Sequence, residues 1–278
     1  ALDDGPDTRA LVASRYLSPR ARTALVSAGV SYLDATGNLR LAIPDPALFL
    51  LKDGANSDPW RTPDRPTSSL RGKPAARVVR ALVDLDRTWR IRQLAQTAGT
   101  SLGSTSRTVD FLEREALIER NDAGSITDVA WPALIDRWAD DYELGKRRRV
   151  LRLLAARGAG SIEGGLRESR ARYVISGSLA ADRWAPYAES RLALVYTDDA
   201  DALAAELGLR EAPTRPNVLL VEPEDDYVFL RPFKQDDLCL AAPSQVAVDL
   251  LAGPGRSPEE GMALIRWMEG NEQAWRGS

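Results

Sequence analysis

The chain has 278 residues, 44% of them apolar and 28% charged, with a formal net charge of −3; it is long enough for two or three packed units and too apolar for a disordered or fibrous chain. It has no histidine and a single cysteine, Cys239, which excludes an internal disulfide, the usual zinc sites, the Ser/His/Asp triad and the Cys/His pair. No apolar run is long enough to span a membrane and the first eight residues are acidic where an export signal is basic, so a cytoplasmic protein without membrane contact is expected.

The small net charge conceals segregation. Residues 1–70 are neutral, 71–120 carry +4, 121–145 carry −5, 146–172 carry +7 and 173–278 carry −9. Such alternation allows one basic face on an acidic protein, which is what a polyanion binder needs. Thirty-three of the 37 basic residues are arginine, a choice that suits bidentate phosphate or guanine contacts and equally fits a GC-rich coding sequence.

In chain order, Thr8 to Ala28 reads as a helix, and Ser31 to Ile43 as two short strands around the turn Ala35-Thr36-Gly37-Asn38. Prolines and polar residues from Ser57 to Pro74 place a boundary near residue 70. Asp34 ends the first strand, but the next strand, Asn38-Leu39-Arg40-Leu41-Ala42-Ile43, has no acid to hold a metal; Asp34 therefore reads as a turn former rather than a nuclease ligand.

From Lys73 the period becomes helical. Val78, Val79, Leu82 and Val83 mark one helix, Ile91, Leu94 and Ala95 a second, and Leu102, Thr105, Val109 and Leu112 the inner face of a third. Ala98-Gly99-Thr100-Ser101 is a turn of the length found in a helix-turn-helix, with Ser101 as cap of the third helix. Two β-prone segments, Ala116 to Arg120 and Ser125 to Val129, flank Asn121-Asp122-Ala123-Gly124, a hairpin signal. Helix, helix, turn, helix, hairpin is the order of a winged helix.

The outward side of the third helix would present Gly103, Ser104, Ser106, Arg107, Asp110 and Arg114 to a major groove. Arg90 and Arg92 begin the second helix, where phosphate is favoured, and Arg120 at the foot of the hairpin would touch backbone or minor groove. Helices are also read at Trp131 to Leu144 and Arg147 to Ala156; in the latter region Lys146-Arg147-Arg148-Arg149 either extends a phosphate footprint or lines a solvated face. Trp131, Trp138 and Trp267 fall at apolar helical positions and read as core or dimer contacts.

Beyond Arg172, buried strands are expected at Tyr173 to Ser176, Leu192 to Tyr196, Val218 to Val221 and Tyr227 to Leu230, with helices at Leu179 to Tyr187, Ala200 to Leu207, Ser244 to Leu251 and Pro258 to Gly270. Gly177-Ser178 after a strand is the way a nucleotidyltransferase opens its site, but the window where its metal-binding carboxylates belong reads Glu189-Ser190-Arg191-Leu192-Ala193. Two-metal chemistry needs those oxygens, and Asp198 and Asp199 fall beyond the strand. No catalytic residue, metal or cofactor is assigned. Cys239 between Leu238 and Leu240 reads as a small buried hydrophobe.

The expectation is an α+β multidomain protein: a small α/β unit over 1–70, a winged helix over 71–145, a basic helical connector over 146–172 and a nucleotidyltransferase-like, inactive α/β domain over 173–278. Trp89 to Arg120 resembles the winged helix of IclR-type regulators, whose S/T-x-x-R at the start of the recognition helix matches Ser104 and Arg107. Gly29 to Asn38, Ser101 to Thr105, Leu134 to Tyr142, Tyr173 to Ala181 and Leu264 to Gly270 resemble, in order, the AbiEi-like antitoxins of type IV toxin–antitoxin systems and their stand-alone relatives.

That resemblance implies a winged-helix repressor or regulator with a companion α/β domain, often the antitoxin of a nucleotidyltransferase toxin. The residues themselves point to a non-enzymatic reader of double-stranded DNA through Arg90, Arg92, Ser101, Gly103, Ser104, Ser106, Arg107, Arg114, Arg120, Arg147 and Arg148, with a homodimer as the default for a winged-helix reader of pseudo-palindromic sites. A cognate toxin or a small-molecule effector would be a further partner. The competing readings are a docking module for a toxin or other subunit without DNA reading, and an active nucleotidyltransferase.

Overall fold

The computed structural model describes residues 10–60, 69–143 and 149–277. Among these the fold is mixed α+β, with three separate sheets and eleven α-helices, and no helix is long and apolar enough to cross a membrane. The chain divides into two compact units, Ala1–Ser68 with Val109–Glu119, and Ser69–Thr108 with Arg120–Ser278.

The first unit holds β1 (Leu11–Ser14), α1 (Pro19–Ser27), β2 (Ser31–Asp34), β3 (Leu39–Pro44) and β4 (Ala47–Lys52). They build one sheet in that strand order, β1 parallel to β2 and the rest antiparallel. The single helix expected over Thr8 to Ala28 is corrected within the described residues: Leu11–Ser14 is a strand and the helix starts at Pro19. Ser18 precedes a proline and is held extended, with φ −60° and ψ 156°, and its hydroxyl accepts from Ala21 N at 3.2 Å; a helix cannot run through that cap. β4 had no counterpart in the sequence reading.

Asp34, 5% exposed, organises this unit. Its carboxylate accepts from Leu17 N (3.0 Å), Thr36 N (2.8 Å), Thr36 Oγ1 (2.6 Å), Asn38 N (3.2 Å) and Asn38 Nδ2 (2.9 Å). Asn38 donates onward to Ala55 O at 3.0 Å and accepts from Gly54 N at 2.8 Å. A side chain at Gly54 would put its Cβ 2.5 Å from both Asn38 N and Thr36 O, so this close backbone approach requires glycine.

Burial alone would raise the Asp34 pKa, but the hydrogen bonds from Thr36, Asn38 and Leu17 outweigh it and hold the group at about 2. A carboxyl depressed from 3.8 contributes stability that is present above about pH 4 and lost as pH falls towards 2. The advantage of the wild type over Asp34→Asn is therefore expected to shrink by about 2 kcal/mol across that window. A gap in urea-unfolding free energy that stays constant from about pH 5 to about pH 2.5 would remove Asp34 from this role.

The second unit opens with α2 (Lys73–Asp84), α3 (Ile91–Ala98) and α4 (Leu102–Arg114), the last continuing into the stretch that belongs to the first unit. β5 (Ile118–Arg120) and β6 (Ile126–Val129) pair as a two-stranded sheet around the turn Asn121–Ser125. Trp89 bridges antiparallel to Ile126 through N–H to O bonds of 2.9 and 2.8 Å. α5 (Trp131–Asp141) follows.

Next come β7 (Arg149–Leu154), a 3₁₀ turn at Ala159–Ile162, α6 (Glu163–Glu168), β8 (Tyr173–Ser176), α7 (Gly177–Ala181), β9 (Ala193–Thr197), α8 (Ala200–Glu206), β10 (Arg210–Glu211) and β11 (Val218–Glu222). A 3₁₀ turn at Asp226–Phe229, β12 (Phe233–Gln235), β13 (Leu238–Leu240), α9 (Pro243–Leu251), α10 (Ser257–Gly270) and α11 (Glu272–Trp275) complete the chain. The seven strands lie in the order β10-β7-β11-β9-β8-β13-β12.

Three expectations are corrected here. Within the described part of the helix expected over Arg147 to Ala156, Arg149–Leu154 is the strand β7, because Leu153 and Leu151 find Val218 and Leu220 of β11 across an antiparallel ladder. The strand expected at Tyr227 to Leu230 is a 3₁₀ turn, closed by Asp225, whose carboxylate accepts from Tyr227 N at 3.0 Å. Cys239 is half-buried rather than enclosed.

Helices α2 and α5 pack against α9, so the segments read separately as 71–145 and 173–278 share one unit, apart from 109–119. Arg80 of α2 is fully buried: it donates to Asp84 at 3.0 Å, to Tyr227 O at 2.8 Å, to Leu230 O at 2.7 Å and to Gln245 at 3.3 Å. Asp249 of α9, also buried, accepts from Tyr142 and Tyr196 at 2.7 Å and from Ser176 at 2.5 Å. The chain end returns to α2, where Gly277 N donates to Asp84 O at 2.9 Å.

Candidate nucleic-acid interface

The interface candidate is the corner between α3 and α4. α3 stops at Gly99, which takes the left-handed conformation at φ 62° and ψ 39°, the usual way to end a helix and turn sharply. Thr100 N then bonds Ala95 O at 3.0 Å. Ser101 caps α4: its hydroxyl accepts from Ser104 N at 3.2 Å and donates to the Ser104 hydroxyl at 3.0 Å. Thr105 is fully buried, joined to Thr100 at 2.7 Å and to Ser101 O at 3.0 Å, so it locks the turn to the helix.

These contacts decide which face is open. Ser101, Gly103 and Arg107 are exposed, and Ser104 and Ser106 half-buried. The Arg107 guanidinium lies along the first turn, donating to Ser104 Oγ at 3.2 Å and passing 3.6 Å from where a Cβ on Gly103 would sit. Arg90 and Arg92 are exposed at the start of α3, whose first turn is closed by Arg90 N donating to Gln93 at 3.3 Å. Among the described residues, no carboxylate pairs with Arg90, Arg92 or Arg107. Leu102, expected on the inner face, is 49% exposed; as the first helical residue it projects before the helix meets its core.

The remaining predicted residues fall elsewhere. Arg114 sits on the last turn of α4, its Nε donating to Asp110 O at 3.1 Å and its guanidinium 6.0 Å from the Phe111 ring. Arg120 is half-buried at the end of β5. Arg147 and Arg148 lie outside the described residues. Arg149, from the same basic run, does not face phosphate: it clamps Asp201 at 2.6 Å and Glu222 at 2.7 Å. Sequence reasoning missed Arg87, exposed, which lies 3.9 Å over the Trp89 ring and donates to Thr97 of α3 at 3.0 Å. Its signal was a basic residue two positions before the tryptophan that bridges to the hairpin.

The turn read from the sequence as nucleotidyltransferase-like follows β8 at Gly177-Ser178. Gly177 has φ +64°, and Ser178 donates to Glu260 of α10. β9, where carboxylates would stand, reads Ala193-Leu194-Val195-Tyr196-Thr197. Three carboxylates do converge among the described residues, Asp199, Asp201 and Glu222, within 4.8 Å of one another. The Arg149 guanidinium already neutralises two of them and Asp199 caps α8 by accepting from Ala202 N at 2.9 Å, which leaves poor ligands for a metal.

No protein-family model, no curated protein and no solved structure matches this chain.

Proposed function

We propose that this chain is a sequence-specific, double-stranded-DNA-binding transcriptional regulator of the repressor or antitoxin type, working in the cytoplasm and without catalytic activity. The observation that carries the reading is the set of exposed arginines without carboxylate partners among the described residues, Arg90, Arg92 and Arg107, around a capped helix-turn-helix corner where Ser101, Leu102, Gly103 and Asp110 are also exposed. The Trp89–Ile126 bridge and the β5–β6 hairpin support reading the segment as a winged helix. Small residues at the start of α4 allow backbone to approach a groove, and arginine supplies the fork that reads guanine or grips phosphate.

In the same reading the α/β part is a nucleotidyltransferase-like scaffold without its metals, available to a cognate toxin or a small-molecule effector. The AbiEi-like resemblance fits a winged helix followed by such a part. The test is a salt titration on random duplex DNA. Three phosphate-level contacts by these arginines alone give a log-log slope of about −3. A chain with no duplex affinity at low salt would be a docking module instead, and transfer of a nucleotide to RNA or protein with magnesium would make it an enzyme.

A further inference from the structure

We propose that β4 is the seam of a homodimer, pairing antiparallel with the β4 of a second copy across a two-fold axis at Phe49. Among the described residues β4 is the edge of its sheet. From Ala47 to Leu51 it contains no charge, proline or glycine, the features that normally protect an open strand edge from pairing. Its apolar side chains are exposed on both faces: Leu48 is 43% and Leu50 45% exposed on one, Phe49 61% and Leu51 59% on the other. A helix or a flat surface can cover only one of those faces. A strand added at the edge supplies cross-strand partners to both at once.

The strand fits itself. Ala42 N and Asn38 O face β2, bonding Ser31 Oγ at 3.2 Å and Asp34 N at 2.9 Å, so Leu39, Leu41 and Ile43 bond Lys52, Leu50 and Leu48 of β4, while the backbone groups of Ala47, Phe49 and Leu51 point outward. With the axis at Phe49, Leu48 meets Leu50 of the second copy in the closer, non-hydrogen-bonded position, twice. Ala47 lies opposite Leu51 of the second copy, small against large. Phe49 meets its own mate as a hydrogen-bonded pair, flanked by Arg40, whose guanidinium lies 5.8 Å from the Phe49 ring. Each Lys52 arrives at the Asp45–Pro46 turn of the other copy, whereas a parallel pairing would set lysine against lysine. A two-fold contact of this kind is self-limiting at two copies.

The proposal stands apart from the DNA reading, because its test uses no nucleic acid. Sedimentation of the full chain across the micromolar range is expected to give twice the 30.4 kDa chain mass. Leu48→Lys with Leu50→Lys is expected to weaken association by more than about tenfold while leaving the thermal unfolding curve in place at concentrations low enough for both chains to be monomeric. Leu48→Cys with Leu50→Cys in a Cys239→Ser background is expected to form a covalent dimer under mild oxidation, since a non-hydrogen-bonded antiparallel pair meets disulfide geometry. A monomer at every concentration, a dimer indifferent to the two lysines, or a dimer that the paired Leu48→Cys and Leu50→Cys substitutions fail to cross-link would each overturn it.

Discussion

Arg80→Ala is expected to lower the stability of the second unit by about 3–5 kcal/mol, the usual consequence of removing one partner of a buried ion pair. Arg80 has no exposed surface and satisfies four acceptors, the Asp84 carboxylate, the Tyr227 and Leu230 carbonyls and Gln245. Asp84 keeps two donors after the change, Arg231 Nε at 3.1 Å and the Ser244 hydroxyl. The two carbonyls lose theirs, and the space of a guanidinium is left in the core. Each unsatisfied buried acceptor costs about 1–3 kcal/mol, so the carbonyls weigh at least as much as the charge. For a unit of this size the fall corresponds to a Tm lowered by about 10 °C. Removing the more exposed Arg256–Glu260 pair, 3.3 Å apart with the arginine half in solvent, is expected to cost under about 1 kcal/mol. Equal effects from the two substitutions would show that the buried cluster is not what joins α2 to α9.

That cluster also shows where the sequence stopped being informative. Val78, Val79, Leu82 and Val83 announced α2 by their spacing, and all four are buried. Arg80 sits among them with only Asp84 as a local acceptor, because its other three acceptors lie 147, 150 and 165 residues away. The same limit explains β7. Arg-Val-Leu-Arg-Leu-Leu satisfies helical and extended patterns alike, and only the ladder with β11 decides. At Tyr227 to Phe229 the β-prone residues were read correctly as buried but in the wrong conformation, since Asp225 closes a turn there. β4 escaped notice because a run of apolar residues exposed on both faces shows neither alternation nor a helical stripe. The α3–α4 corner was the most legible part, for its signals are local: a left-handed glycine, a serine cap and a small, polar first turn.

The functional reading makes its strongest demand on Arg90, Arg92 and Arg107 together. At about 1–3 kcal/mol for each phosphate or base contact, replacing all three by alanine is expected to reduce duplex affinity by at least about a hundredfold and to flatten the salt slope by nearly three. The three are separable by what they read. Arg107 lies on α4 beside Gly103 and Ser104, where a recognition helix meets base edges. Arg107→Ala is therefore expected to narrow the preference for a selected site over random DNA. Arg90 and Arg92, at the start of α3, are expected to weaken both alike, because phosphate contacts carry no sequence. Arg107→Lys keeps the charge without the fork and should retain the slope while losing the preference. Unfolding cannot mimic these outcomes. The side chains are exposed and the one guanidinium bond among them runs from Arg107 to Ser104, so the substitutions should shift stability by no more than about 0.5 kcal/mol. Affinity of the triple variant within about twofold of the wild type, at fixed salt and with an unchanged melting curve, would remove the α3–α4 corner from contact with DNA and leave the outer face of α4 as a surface for protein.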